Sequence, residues 1–129
     1  MSLLGEADVV VLACGLNAST RDLANAAFFA AMKPGAYFVN IGRGGCVDET
    51  ALLAALEGDR PGLAILDVFK QEPLPSDSPL WAHPKVRITA HTSPSSMGTL
   101  RRGDELFLEN LKRYAAGQKL INEVGADAF

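Results

Sequence analysis

Hydrophobic positions in this chain fall in short unbroken runs separated by stretches of helical spacing, the rhythm of strands alternating with helices. Val9-Val10-Val11-Leu12-Ala13 is wholly apolar, which predicts a parallel strand covered on both faces. Ser19-Thr20-Arg21-Asp22 has the form of a capping box and predicts a helix presenting Leu23, Ala26, Ala27 and Ala30, stopped by Lys33-Pro34-Gly35. A second apolar strand, Ala36 to Ile41, runs into Gly42-Arg43-Gly44-Gly45. Asp48 is a suitable N-cap for a helix whose Leu52, Leu53 and Leu56 form one stripe before Gly58. Gly62 to Leu66 and Val86 to Ala90 are the third and fourth strands. The segment Glu72-Pro73-Leu74-Pro75-Ser76-Asp77-Ser78-Pro79 between them holds too much proline for regular structure. A last helix starts at Ser95 or Ser96 and places Leu100, Phe107, Leu111 and Tyr114 on one face before Gly117 ends it. Residues 118–129 carry little pattern and are expected to be a loosely ordered tail.

This alternation predicts an α/β fold with a parallel sheet and right-handed crossovers. The 129 residues suit about one domain, and 48% hydrophobic with 21% charged residues is enough to build a core. A net charge of −3 without any run of Lys or Arg argues against a nucleic-acid partner. The apolar runs fall far short of the ~20 residues of a membrane span. Cys14 and Cys46 form neither a disulfide framework nor a metal-ligand spacing, so no metal is expected and both read as small reduced hydrophobes. A cytoplasmic protein follows from these features. No leader of the secretory type precedes the first strand, and the abrupt start suggests a fragment of something longer.

Ligands of open parallel sheets bind beyond the carboxyl ends of the strands. Three successive predicted strands deliver Arg43, Asp67 and His91 to that edge. Arg43 stands among Gly42, Gly44 and Gly45, where backbone can approach a ligand and the guanidinium offers a planar donor fork to a carboxylate. The alternative is an arginine that caps carbonyls or pairs at the surface. A lone strand-end histidine is more often structural than catalytic, but His91 is suited to giving and taking a proton near neutral pH, and Glu72 could orient its ring. Asp67 closes an apolar strand, an expensive place for a charge unless a helix cap, a ligand hydroxyl or an amide pairs with it. His83, between Ala82 and Pro84, reads as a surface residue. Asp48 and Glu49 open a helix and need no further role.

Taken together, three segments carry a family resemblance. Val39-Asn40-Ile41-Gly42-Arg43-Gly44-Gly45-Cys46-Val47-Asp48-Glu49 resembles the VN-x-x-RGG-x-VDE signature of D-isomer-specific 2-hydroxyacid dehydrogenases. Leu66-Asp67-Val68-Phe69-Lys70-Gln71-Glu72-Pro73-Leu74-Pro75 is similar to the family's LDVF-x-x-EPLP segment, and Ser78-Pro79-Leu80-Trp81 through His91 to its SPLW…ITPH stretch. Ala13-Cys14-Gly15-Leu16-Asn17 through Thr20 is a looser match to the family's earlier H-x-P-L-T-x-x-T motif. Residues 5 to 122 are covered in uninterrupted order, and the Ser78-Pro79-Leu80-Trp81 segment most resembles the glyoxylate/hydroxypyruvate reductase branch.

The resemblance implies a Rossmann-like dinucleotide-binding fold in its second half, spanning residues 4–117 and ending in the C-terminal helix. Residues 118–129 would then lead toward a substrate domain. It implies hydride transfer between NAD or NADP and a 2-keto or D-2-hydroxy acid, with catalytic roles for Arg43, Glu72 and His91. Cys14, Ile41, Gly42, Arg43, Asp67, His91, Thr92, Ser93 and Pro94 would line the cofactor. The glycine-rich fingerprint and closing domain are expected upstream, so the chain alone is expected to be inactive. The oligomer expected is a homo-oligomer. Corepressors that use the same scaffold as an NAD-sensing module are the alternative. Ala90, Thr92-Ser93-Pro94 and Gly15 depart from the family pattern.

Overall fold

A computed structural model describes residues 2–125. The strands are β1 (Val9–Leu12), β2 (Tyr37–Asn40), β3 (Leu63–Leu66) and β4 (Val86–Ile88), and the helices α1 (Ala26–Ala31), α2 (Glu49–Glu57) and α3 (Met97–Ala115). The chain divides into two compact units, Met1–His91 and Thr92–Phe129.

In the first unit all four strands run parallel in the order β1-β2-β3-β4, with Val9 opposite Tyr37, Tyr37 opposite Leu63, and Ala64 opposite Val86. Every strand therefore ends at the same edge. Helices α1 and α2 make the first two crossovers, while the proline-rich segment makes the third without a helix. Strands added in one direction by crossovers of one hand place their helices on the same face. That face holds the core. Phe28 and Phe29 of α1, Met32 just after it, and Leu52 and Leu56 of α2 join Leu12, Phe38, Ala64 and Leu66 of the sheet in one buried cluster. The rings of Phe28, Phe29 and Phe38 meet edge to face, with centroids 5.2 to 6.1 Å apart.

The other face corrects the expectation that β1 is covered on both sides: Val9 and Val11 are 52% and 51% exposed. Both packed helices lie opposite them, and β1 is an edge strand.

The first helix also begins later than expected. Asn17 Oδ1 accepts from the backbone N–H groups of Ser19 and Thr20, which closes a local turn there. Asp22 follows at φ +48°. Ala24 is then drawn into a parallel bridge with Val47, its N–H bonding Cys46 O at 2.9 Å. Only after that bridge does Asn25 cap α1, its side chain accepting from Ala27 and Phe28 N–H.

Asp48 caps α2 as expected, accepting from Thr50 and Ala51 N–H. His83 is not a surface residue: its side chain is only 13% exposed, and its Nδ1 accepts from Lys85 N–H.

In the second unit Ser96 caps α3 and Gly117, at φ +65°, follows its end. Leu100, Phe107, Leu111 and Tyr114 are exposed along it. Beyond Gly117 the chain is more ordered than expected, because Asn110 bonds both the N–H and the C=O of Ile121. Residues 126–129 of that tail lie outside the described residues.

Candidate active site

Asn40 is the last residue of β2 and lies buried at 1% exposure in an otherwise apolar strand. Its Oδ1 accepts from Gly42 N–H at 3.1 Å and its Nδ2 donates to Arg43 O at 3.2 Å, so one amide fixes the turn that presents Arg43. The Arg43 side chain is exposed and donates to Gly42 O at 2.8 Å. Gly44 lets this turn lie against the loop after β3. A Cβ there would sit 1.8 Å from Phe69 C and 1.9 Å from Phe69 O. Gly42 packs less tightly against the segment after β1, where a Cβ would still lie 2.5 Å from Cys14 O.

The loop after β3 carries Glu72. One of its oxygens accepts from Phe69 N–H at 2.9 Å, and the other meets His91 Nδ1 at 2.8 Å. The Phe69 N–H and then the histidine hold the Glu72 carboxyl below its ordinary range, with the Arg43 charge adding a smaller pull. With Nδ1 bound to Glu72, Nε2 is directed to the opposite side of the ring, which is the arrangement of an imidazole oriented for proton transfer. His91 has φ +52°, and its N–H bonds Asp67 O at 3.0 Å. The loop is tied down further by Glu49, which accepts from Lys70 N–H at 2.8 Å, and by the Lys70–Asp22 ion pair at 2.6 Å.

Glu72, His91 and Phe69 form a ridge between two clefts. One, of about 430 Å³, includes the cationic Arg43, Arg21 and Lys70 and also Gly44 in its walls. The other, of about 660 Å³, is largely apolar, with Leu74, Trp81 and Ile88 beside Asp67, Thr89 and Ala90. Asp67 is 3% exposed and accepts from the Thr89 hydroxyl.

The structure thus brings Arg43, Glu72 and His91 to one cleft and Asp67 to its neighbour. Cys14 and Gly42 abut at the ends of β1 and β2, with Ile41 beside them and exposed. Thr92, Ser93 and Pro94 belong to the second unit, in a tight turn before α3 where Ser95 N–H bonds Thr92 O and Ser96 N–H bonds Pro94 O.

Two positioning residues escaped the sequence reading. Asn40 carried the signal used for Asp67, a polar side chain closing an apolar strand. Glu49 looked complete as a first-turn acid, and its bond to a loop 21 residues away leaves no local trace.

Residues 1–93 match the family model described as D-isomer specific 2-hydroxyacid dehydrogenase, NAD binding domain. Glyoxylate/hydroxypyruvate reductase B of Citrobacter koseri is 49% identical over 110 residues, covering 85% of this chain and 34% of that protein. The chain spans about a third of the length of the curated relatives it matches. A D-isomer specific 2-hydroxyacid dehydrogenase from Xanthobacter autotrophicus Py2, solved with NADPH and MES, superposes with a TM-score of 0.85 at 40% identity, over 95% of this chain and 50% of that one. The NADPH-dependent glyoxylate/hydroxypyruvate reductase of Sinorhizobium meliloti, solved with NADP and sulfate, gives a TM-score of 0.82 at 32% identity, over 94% and 39%. With most of its length matched by the family model and its parallel sheet shared with these structures, the chain belongs to the D-isomer specific 2-hydroxyacid dehydrogenase family through its NAD binding domain.

Proposed function

We propose that the chain carries the catalytic, NAD(P)-binding part of an oxidoreductase that interconverts small 2-keto acids, such as glyoxylate or hydroxypyruvate, and D-2-hydroxy acids. The observation that carries this reading is the His91–Glu72 pair at 2.8 Å on the wall of a cleft that Arg43 also lines. The neighbouring apolar cleft, with a carboxylate and a hydroxyl among its lining groups, suits a flat aromatic amide, so the residues fit a nicotinamide. We assign Cys14, Ile41, Gly42, Asp67 and Thr92 to Pro94 to the cofactor. When bound, the reduced nicotinamide would supply the hydride that adds to the keto carbon.

The chain's own groups do the rest. Arg43 binds the substrate carboxylate through its guanidinium fork and polarises the keto oxygen. His91 delivers the proton from Nε2 to that oxygen in reduction and withdraws it in oxidation. Glu72 keeps the ring oriented and balances the imidazolium charge. The free thiols accord with a cytoplasmic setting.

The test is hydroxypyruvate-dependent NADPH oxidation in the polypeptide extended to the length of its relatives. His91→Ala should lower kcat by about 10²- to 10⁴-fold, the typical contribution of a positioned acid, and leave cofactor binding intact. Retention of the parent rate would overturn the assignment. The 129-residue chain by itself, a third of its relatives' length, should turn over no substrate.

A further inference from the structure

We propose that Cys14 and Cys46 are a peroxide-oxidisable dithiol whose disulfide pins the loop after β1 to the turn that follows Arg43. The two sulfurs stand 4.0 Å apart although the residues are 32 positions apart in sequence. A bond requires about 2 Å. The thiols form a chain: the Cys14 S–H is directed at Cys46 Sγ, and the Cys46 S–H at Gly15 O, 3.9 Å away.

The backbone has already made the approach. Ile41 N–H bonds Leu12 O at 3.0 Å, and the Cys14 carbonyl lies so close to Gly42 that no Cβ fits between them. Cys46 is held from both sides, by Ala24 N–H on its carbonyl and by its own N–H on Arg43 O. With both backbones held, side-chain rotation is the motion the proposal assigns to closing the remaining gap.

Exposure gives the two sulfurs different parts. Cys14 is half-buried and Cys46 fully buried, so an oxidant meets Cys14 first. Burial also pushes the Cys46 thiol up, which leaves the first attack on the oxidant to Cys14. The Cys14 thiolate attacks one oxygen of hydrogen peroxide, the O–O bond breaks, and hydroxide leaves with the sulfur oxidised to sulfenic acid. Cys46 sulfur then attacks Cys14 sulfur, the S–O bond breaks, and the departing hydroxide takes the Cys46 proton as water. In sum, two thiols and one peroxide give one disulfide and two waters. The oxidation needs no hydride transfer, although Cys14 is also one of the residues assigned above to the cofactor.

The experiment treats the folded chain with hydrogen peroxide, blocks remaining thiols by alkylation, and reads intact mass and non-reducing peptide maps. The expected product is a monomer lighter by two hydrogens, with both thiols lost to alkylation, a linked peptide pair containing Cys14 and Cys46, and full reversal by dithiothreitol. In Cys46→Ser the Cys14 sulfur should proceed to the sulfinic acid, gaining two oxygens, while in Cys14→Ser the Cys46 thiol should remain reduced. Oxygen uptake at Cys14 of the parent without a cross-link, a disulfide between two chains, or two unreacted thiols would each overturn the proposal.

Discussion

Gly44→Ala tests whether the Arg43 turn and the Glu72 loop are positioned by direct backbone contact. The added Cβ would stand 1.8 Å from Phe69 C, 1.9 Å from Phe69 O and 2.4 Å from Lys70 N. All three are main-chain atoms, so no side chain can swing away. Reaching the 3.4 Å of ordinary contact requires an opening of 3.4 − 1.8 = 1.6 Å between segments that also hold one another through Glu49 and Lys70.

Overpacking of a close-packed interior typically costs about 1–3 kcal/mol, and a clash with immovable backbone belongs at or above ~3 kcal/mol. At roughly 4 °C or more per kcal/mol for a domain of this size, the melting temperature should fall by about 12 °C or more. Two neighbours serve as controls. A Cβ on Gly45 meets only the end of the Leu16 side chain, at 2.7 Å, so Gly45→Ala should cost under ~1 kcal/mol. A Cβ on Gly15 meets nothing within 4 Å, and Gly15→Ala should stay within about 0.5 kcal/mol of the parent. Thermal and urea unfolding followed by circular dichroism would rank the three. If Gly44→Ala unfolded with the parent, the contact between the two loops would not exist as described.

Other consequences are open to measurement. The Glu72 carboxyl is held below its ordinary value of 4.5, so the stability it contributes is present above that pH and is lost as pH falls through its lower folded value; Glu72→Gln should flatten this acid limb of the pH–stability curve, and an unchanged limb would count against the bonding described. Asn25→Ala removes the acceptor for two N–H groups of α1 and should cost about 1 kcal/mol, readable as a lower urea midpoint with an unchanged slope. The half-exposed Val9 and Val11 on an edge strand should make the chain associate with itself as concentration rises, and a monodisperse monomer by light scattering at high concentration would refute this.

What the sequence made legible divides along physical lines. The strands β1 to β4, the caps at Asp48 and Ser96 and the stop at Gly117 follow from runs, caps and glycine, all of them local effects. Membership of the family was legible too, because three motifs hold the shared edge of the sheet. The first helix was placed too early since nothing near Ser19 announces that Ala24 will pair with Val47, 23 residues on. The coverage of β1 was overstated because an apolar run records composition and not which faces are occupied. His83 looked exposed from its loop setting, yet Lys85 N–H and Glu57 both meet its ring. At the site, the Glu72–His91 contact was only a possibility until the chain brought segments 19 residues apart together.

The left-handed backbone of His91, at φ +52°, sets the proton-transfer role proposed for this residue against what the main chain prefers. An L-residue in that region gives up roughly 1–2 kcal/mol that glycine keeps. His91→Gly should therefore unfold at a higher temperature than His91→Ala, the reverse of their usual order. A search for sturdier variants that ignored turnover would drift toward erasing the imidazole, so robustness and reactivity compete at this single position.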